Sequence, residues 1–143
     1  MITKTGLHAV RAMVALARLA PGEYAGAAEI AYHISAPANY LGKLLRALAA
    51  EGLLESQKGL GGGFRLAKPA RKISLFAVVA PFESISRWAG CILGHPDCSE
   101  ELPCALHGQW KSIRSAYLRL LETTSVADLL RKGEAIALEG SES

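Results

Sequence analysis

The sequence lacks the long apolar run that a membrane-spanning helix requires. Such a helix needs about 18 or more consecutive apolar residues, and the apolar start of the chain, MITKTGLHAVRAMVALARLA, is interrupted by His8, Arg11 and Arg18. Because the apolar residues between them have helical spacing, the segment predicts a helix of the mature protein rather than a targeting peptide. We therefore expect a cytoplasmic protein without a membrane partner.

The sequence also lacks the residue sets of common catalytic and nucleotide sites. It contains no Ser/His/Asp set, no paired carboxylates suited to acid–base work and no G-K-[ST] sequence. The glycine-rich stretch KGLGGGFRL at 58–66 does not match G-x-G-x-x-G, because Phe64 stands where the last glycine belongs and a strand-like run follows. An enzyme is therefore not expected.

Cysteines are few, and their number is odd. The three of them, Cys91, Cys98 and Cys104, lie within 14 residues and continue to His107 in the pattern C-x6-C-x5-C-x2-H. An odd number argues against a simple disulfide framework, and a cluster in a cytosolic chain indicates metal or redox chemistry. Three thiolates and one imidazole can bind an iron–sulfur cluster or a tetrahedral zinc ion, and reversible thiol oxidation without metal is a third alternative.

Apolar residues and positive charge are what the chain does contain. Half of its 143 residues are hydrophobic, which is enough to bury a core. Residues 1–76 carry ten Lys/Arg against four Asp/Glu, or +6, whereas residues 77–143 carry six against nine, or −3. A basic first half suggests a polyanion-binding module, although ordinary surface charge would give the same totals.

Helical and strand-like periods follow each other in the order of a winged helix-turn-helix. Helical spacing covers 3–19, 25–34 and 38–52, and the turn between the last two contains Ser35, which is expected to cap the next helix. Two extended runs, LLESQ and GFRLA, then flank the glycines. The predicted fold class is mainly α, with a two-stranded β wing and a long C-terminal dimerisation helix.

This order also predicts how the chain is divided. We expect a DNA-binding domain over 1–72, then a connecting helix, a cysteine loop and a dimerisation helix over 73–132, and a flexible tail over 133–143. In the long helix, apolar residues step by four and three, as in a coiled-coil seam. They are Leu106, Trp110, Ile113, Tyr117 and Leu120. The spacing fits a homodimer formed through the 104–122 helix, or a helix that packs on its own domain.

The third helix carries the residues expected to contact double-stranded promoter DNA. Asn39 and Tyr40 lie at its N-terminal end, which faces base edges in a helix-turn-helix, and Asn can bind adenine through two hydrogen bonds. Lys43 and Arg46 follow one turn later and suit phosphates. The alternative is that Lys43 and Arg46 are only the solvated side of a surface helix.

The glycine cluster is interpreted as the tip of the wing. A tip without side chains at Gly61 and Gly62 can enter a narrow minor groove, and Lys58 and Arg65 can reach the phosphates on either side. A linker is unsuitable here because apolar strand residues lie on both sides of the glycines.

These residues resemble the Rrf-two family of bacterial winged-helix repressors, which includes iron–sulfur regulators. The resemblance rests on IAYHISAPANYLGKLLRALAAEGLLESQKGLGGGFRLAK, the cysteine loop and VADLL. It implies a homodimer that regulates transcription from palindromic promoter DNA, and a 2Fe–2S or 4Fe–4S cluster bound by the three cysteines. For the fourth ligand it implies either His107 or His8 of the partner subunit. Gly42 departs from the bulkier polar residue of many relatives, so the operator sequence does not carry over.

Overall fold

The structure is a computed structural model that describes residues 2–83 and 105–130. Its helices and strands, in chain order, are α1 (Lys4–Ala17), α2 (Ala27–Ile34), α3 (Ala38–Ala50), β1 (Leu54–Gln57), β2 (Gly63–Leu66), α4 (Leu75–Val79), α5 (His107–Thr123) and α6 (Val126–Leu130). The fold is mainly helical, with a two-stranded antiparallel sheet in the described ranges. It agrees with the predicted fold class.

The first helix begins at a side-chain cap. The Thr3 hydroxyl accepts a hydrogen bond from the Gly6 N–H at 3.0 Å, which satisfies one of the amides that a helix start leaves unbonded. Val10, Met13 and Val14 recur at helical spacing and are buried. The predicted helix over 3–19 is confirmed, although it is slightly shorter and runs from Lys4 to Ala17.

The turn between α2 and α3 differs from its prediction in one respect. Ser35 does not cap α3; it ends α2 in the left-handed conformation, with φ 58° and ψ 50°. Its backbone N–H bonds back to α2, so the chain leaves that helix sharply. Pro37 is the residue before α3, where its missing N–H costs no helical hydrogen bond.

The two strands form a hairpin that a third segment extends. Leu54 pairs with Leu66 and Gln57 with Gly63, which fixes the register. On the other edge of β2, Phe64 exchanges both backbone hydrogen bonds with Ala25, at 2.8 and 3.0 Å. The wing is therefore bonded, close to the tip end of β2, to the residues that lead into α2.

A single apolar core joins the helix-turn-helix to the elements that follow it. Buried residues of α1 to α3 pack with Val78 of α4, Leu121 of α5 and Val126 of α6. The Ser74 hydroxyl caps α4 by accepting a hydrogen bond from the Ala77 N–H at 3.1 Å. The proposed division at residue 72 stays a prediction. No helix within 2–83 or 105–130 is long and apolar enough to cross a membrane.

Candidate nucleic-acid interface

The outward side of α3 carries the residues predicted to contact DNA. Asn39, Lys43 and Arg46 are exposed and are spaced by four and three residues, so they share one side of the helix. The leucines of α3 are buried on the opposite side. The helix thus presents a polar, cationic surface to solvent, whereas its apolar surface is fully used by the core.

Gly42 lies beneath the Arg46 side chain on this surface. Gly42 is buried, and Arg46 Nη1 is 3.4 Å from the position that a Cβ of Gly42 would take. Side chains of a helix lean toward its N-terminus, so the Arg46 guanidinium lies over the preceding turn. The space left by Gly42 is therefore partly taken by Arg46.

Tyr40 differs from its neighbours because it bonds to α1. Its hydroxyl is 3.0 Å from Nδ1 of His8, and the two rings meet edge to face with centroids 5.4 Å apart. Tyr40 is half-buried and His8 is 9% exposed. This pair fixes the N-terminal part of α3 against α1, and a direct contact of Tyr40 with DNA stays a prediction.

The environment of His8 favours its neutral imidazole. Burial is the main cause that lowers the pKa of His8, and the charges of Arg11 and Lys4 lower it further. A neutral ring can either accept from or donate to the Tyr40 hydroxyl. The predicted role of His8 as a ligand from the partner subunit stays a prediction, and within this chain its Nδ1 faces Tyr40.

The tip of the wing is a tight turn over residues 59–62. The Gly62 N–H donates to the Gly59 carbonyl oxygen at 3.0 Å, and Gly61 has φ 77°, a value that type II turns require at their third position. Lys58 and Gly61 are exposed. The tip is not bare, as the glycines suggested, because the Leu60 side chain projects from it with 102% relative exposure.

Arg65, predicted to reach a phosphate, is bonded within the wing. Its Nε donates to Oε1 of Glu55 at 2.9 Å, directly across the hairpin, and its guanidinium lies 4.6 Å from the centre of the Tyr24 ring. These contacts orient the side chain in advance of any phosphate contact. Glu55 was missed as a partner, although pairing the two strands about Leu60 places it opposite Arg65.

The cysteine part of the predicted metal site lies outside the described residues. Cys91, Cys98 and Cys104 belong to the stretch between residues 83 and 105, and the described residues contain no group of three or more metal-ligating side chains. His107 is the first residue of α5 and is half-buried. The chemistry of the donor set, three thiolates and an imidazole, fits an iron–sulfur cluster or zinc.

Glu83, which sequence reasoning missed, anchors the chain just before that stretch. Its Oε2 accepts hydrogen bonds from the Thr3 N–H at 2.8 Å and the Thr3 hydroxyl at 2.7 Å. A Cβ on Gly6 would overlap the Glu83 carboxylate, so a larger residue there would displace that side chain from its contact with Thr3. Burial and the nearby charge of Glu83 raise the pKa of Tyr117 in α5. Glu83 therefore links the start of α1 to the surroundings of Tyr117 in α5.

The long helix presents part of its predicted seam to solvent. It begins at His107, later than the predicted 104–122 helix, and Ala105 and Leu106 form a turn before it. Leu106, Ile113 and Leu120, seven residues apart, are 37%, 51% and 55% exposed. The inner side of the same helix packs on the core through Leu121, which is 1% exposed.

Comparisons with known proteins agree with this arrangement. The family model for Rrf2, described as an iron-dependent transcriptional regulator, matches residues 2–132. Protein aau3 of Rhizobium meliloti is 33% identical over 132 residues, which are 91% of this chain and 84% of the relative. The HTH-type transcriptional regulator IscR of Vibrio campbellii is 27% identical over 137 residues, which are 96% and 81% of the two chains.

A solved structure shows the same fold. CymR, the global cysteine regulator of B. subtilis, aligns with a TM-score of 0.77 at 22% identity and covers 94% of this chain and 98% of its own. The helix-turn-helix, the wing and these relatives define a transcriptional regulator rather than an enzyme. The chain belongs to the Rrf2 (Rrf-two) family.

Proposed function

We propose that the chain is a homodimeric repressor that binds palindromic promoter DNA and whose affinity for the operator is set by an iron–sulfur cluster. The observation that carries the DNA-binding part is the exposed row of Asn39, Lys43 and Arg46 on α3 beside a wing that carries Lys58. An exposed recognition helix whose apolar side is completely buried is suited to the major groove. The +6 charge of residues 1–76 supplies attraction to phosphates.

The seam of α5 supports the dimer. Three apolar side chains are spaced seven residues apart, each more than a third exposed: Ile113 and Leu120 on one side of α5, and Leu106 in the turn before it. Rows of this spacing pack against a second helix in coiled coils. Pairing of two α5 helices would present two recognition helices to half-sites about one helical turn apart, or a small multiple of that distance.

The chemistry of the four proposed ligands, and the residues on either side of the cysteine stretch, support the cluster. An iron–sulfur cluster, when bound, supplies a redox-labile set of bonds among Cys91, Cys98, Cys104 and His107. Glu83, before the cysteine stretch, accepts hydrogen bonds from Thr3, which caps the start of α1, and His107 begins α5 after that stretch. The stretch therefore connects the DNA-binding helices to the proposed dimer helix. A cluster bound there would influence the separation of the two α3 helices in the dimer. The family description, iron-dependent, favours iron over zinc.

The DNA-binding part is tested by binding measurements at several salt concentrations. A sequence selected from random duplexes should bind tightly, and the logarithm of its binding constant should fall steeply with the logarithm of salt concentration. Lys43→Ala should reduce that slope by about 0.9 for each lost phosphate contact. Asn39→Ala should leave the slope unchanged and relax the sequence preference at one position. If no duplex showed tight, salt-dependent binding, the proposed function as a DNA-binding regulator would be wrong.

The cluster is tested by purification without oxygen, followed by metal and sulfide analysis. We expect visible absorbance with stoichiometric iron and sulfide, and a colourless zinc protein would contradict the proposal. Cys98→Ala should abolish the cluster and leave the fold intact. His107→Ala and His8→Ala, compared for iron content and absorption spectrum, then identify the fourth ligand, which we assign to His107.

A further inference from the structure

Leu60 is the side chain that the wing presents most fully to solvent. It is 102% exposed. A Cβ added to its neighbours Gly59 or Gly61 would also lie in open space, with no atom within 4 Å apart from the adjacent residues. A single exposed leucine is ordinary on a protein surface. Leu60 is unusual because each of the other residues from 59 to 63 is glycine, so Leu60 carries the one side chain of that segment.

The tip that carries Leu60 is held in a fixed place. The turn at 59–62 is closed by the Gly62 to Gly59 hydrogen bond, and a Cβ on Gly62 would overlap the backbone of Gln57. Farther down, β2 is bonded to Ala25 on its outer edge, and Ala25 leads into α2. Backbone contacts at the tip and along β2 therefore position Leu60 relative to the helix-turn-helix.

The surroundings of Leu60 indicate which surface it meets. Lys58 lies two residues before it and is exposed, and the half of the chain that contains the wing carries a charge of +6. Phosphates attract such a tip to DNA, and a minor groove of about 6 Å width offers apolar sugar walls to a leucine. Leucine is also among the side chains that proteins insert as wedges into the minor groove.

We propose that Leu60 inserts into the operator's minor groove beside the half-site contacted by α3 and selects A·T pairs there. The physical reason is the guanine N2 amino group, which in the minor groove distinguishes G·C from A·T pairs. An apolar side chain gives that donor no hydrogen-bond partner and occupies its space. Leu60 is thus a specificity-determining residue, and this inference rests on the proposed DNA-binding function.

Inosine separates this contact from every contact in the major groove. An operator selected from random duplexes is altered at the pairs beneath the wing, from A·T to G·C or to inosine·C, which lacks the N2 amino group. The wild-type chain should lose affinity on the order of tenfold with G·C, and regain it with inosine·C. In Leu60→Ala the three duplexes should bind alike, and more weakly than A·T binds to the wild type.

Two controls keep the outcome attributable to Leu60. Leu60→Met preserves an apolar side chain and should retain the A·T preference, whereas Lys58→Ala should reduce the salt slope by about 0.9 and leave the preference unchanged. If the wild-type chain binds DNA but Leu60→Ala has unchanged affinity and an unchanged G·C penalty, the inference is wrong and Leu60 serves another contact. If no duplex binds tightly, the proposed function itself fails.

Discussion

Helix α3, the proposed recognition helix, buries its apolar residues, whereas the long helix α5 leaves part of its own exposed. The leucines of α3 are at most 3% exposed, a set that comprises Leu41, Leu44, Leu45 and Leu48. In α5 the buried residue is Leu121, whereas Ile113 and Leu120 are 51% and 55% exposed. Full burial of one such side chain contributes roughly 1.5–3 kcal/mol.

The difference shows which surface of each helix is left for function. The apolar side of α3 is satisfied inside the chain, so its function depends on the polar residues of the other side. The apolar row of α5 is half exposed, and the burial it still lacks is what a second copy would provide. The helix that would read DNA therefore needs no partner for its own folding, whereas the proposed dimer needs α5.

A charge on the exposed row of α5 should have the largest effect. Ile113→Glu places a carboxylate in the middle of the proposed dimer contact, where its desolvation opposes pairing. We expect a monomer by light scattering, and operator affinity lowered on the order of 10²–10⁴-fold because two linked half-site contacts become independent.

Ser112→Glu is the matched control for this change. It adds the same carboxylate at the neighbouring exposed position, off the apolar row. It should remain dimeric and bind DNA nearly as well as the wild type. A dimeric Ile113→Glu protein would show that α5 does not form the dimer contact.

Truncating a leucine of the apolar core should have the next largest effect. Leu45 is 0% exposed and Leu60 is 102% exposed, so the same change, Leu to Ala, samples both extremes. Leu45→Ala should lower the free energy of unfolding by about 2–5 kcal/mol in denaturant titrations. Leu60→Ala should change it by less than about 0.5 kcal/mol, and similar losses for both would contradict the burial difference.

The sequence predicted the helices, the hairpin and the polar side of α3 because each depends on local pattern. Helical spacing, Gly and Pro punctuation and alternating strands are properties of neighbouring residues. The same reasoning placed Asn39, Lys43 and Arg46 together on α3. These residues share a side of one helix, so no long-range contact had to be known.

Contacts between distant segments were not predictable in the same way. The bonds of His8 with Tyr40 and of Glu83 with Thr3 join residues 32 and 80 positions apart. No local period encodes them, since they depend on how whole helices pack. The exposed Leu60 was overlooked for another reason: four glycines around it suggested a bare tip, although one leucine among glycines is the side chain with the fewest neighbours.

The anchoring of the wing offers a test of smaller magnitude. Gly63 has φ 132°, and a Cβ there would overlap the Ala25 carbonyl, so Gly63→Ala should strain the bonds between β2 and residue 25. We expect a loss of about 1–3 kcal/mol in the free energy of unfolding. Gly26→Ala, at φ −79° with open space, should cost less than about 1 kcal/mol, because the change only replaces glycine with a poorer N-cap residue of α2. Equal losses for the two variants would show that the close approach of β2 is unimportant.

The smallest effect concerns the buried polar side chain that holds α3 to α1. Among the described residues His8 is the one polar side chain in the closed core, and burial, with Arg11 and Lys4, lowers its pKa from 6.5. Because the unfolded chain then takes up a proton at higher pH than the folded chain, the free energy of unfolding decreases as pH falls below about 6.5.

Replacing the imidazole should therefore flatten the pH dependence of stability. His8→Gln cannot take up that proton, so its free energy of unfolding should fall less than that of the wild type between about pH 8 and pH 5. Denaturant titrations at both pH values measure the difference. Tyr40→Phe keeps His8 and should retain the wild-type direction of the pH dependence, because burial and the two cations still favour the neutral ring. If the stability of His8→Gln were as pH-sensitive as that of the wild type, the neutral form of His8 would not be the cause of the pH dependence.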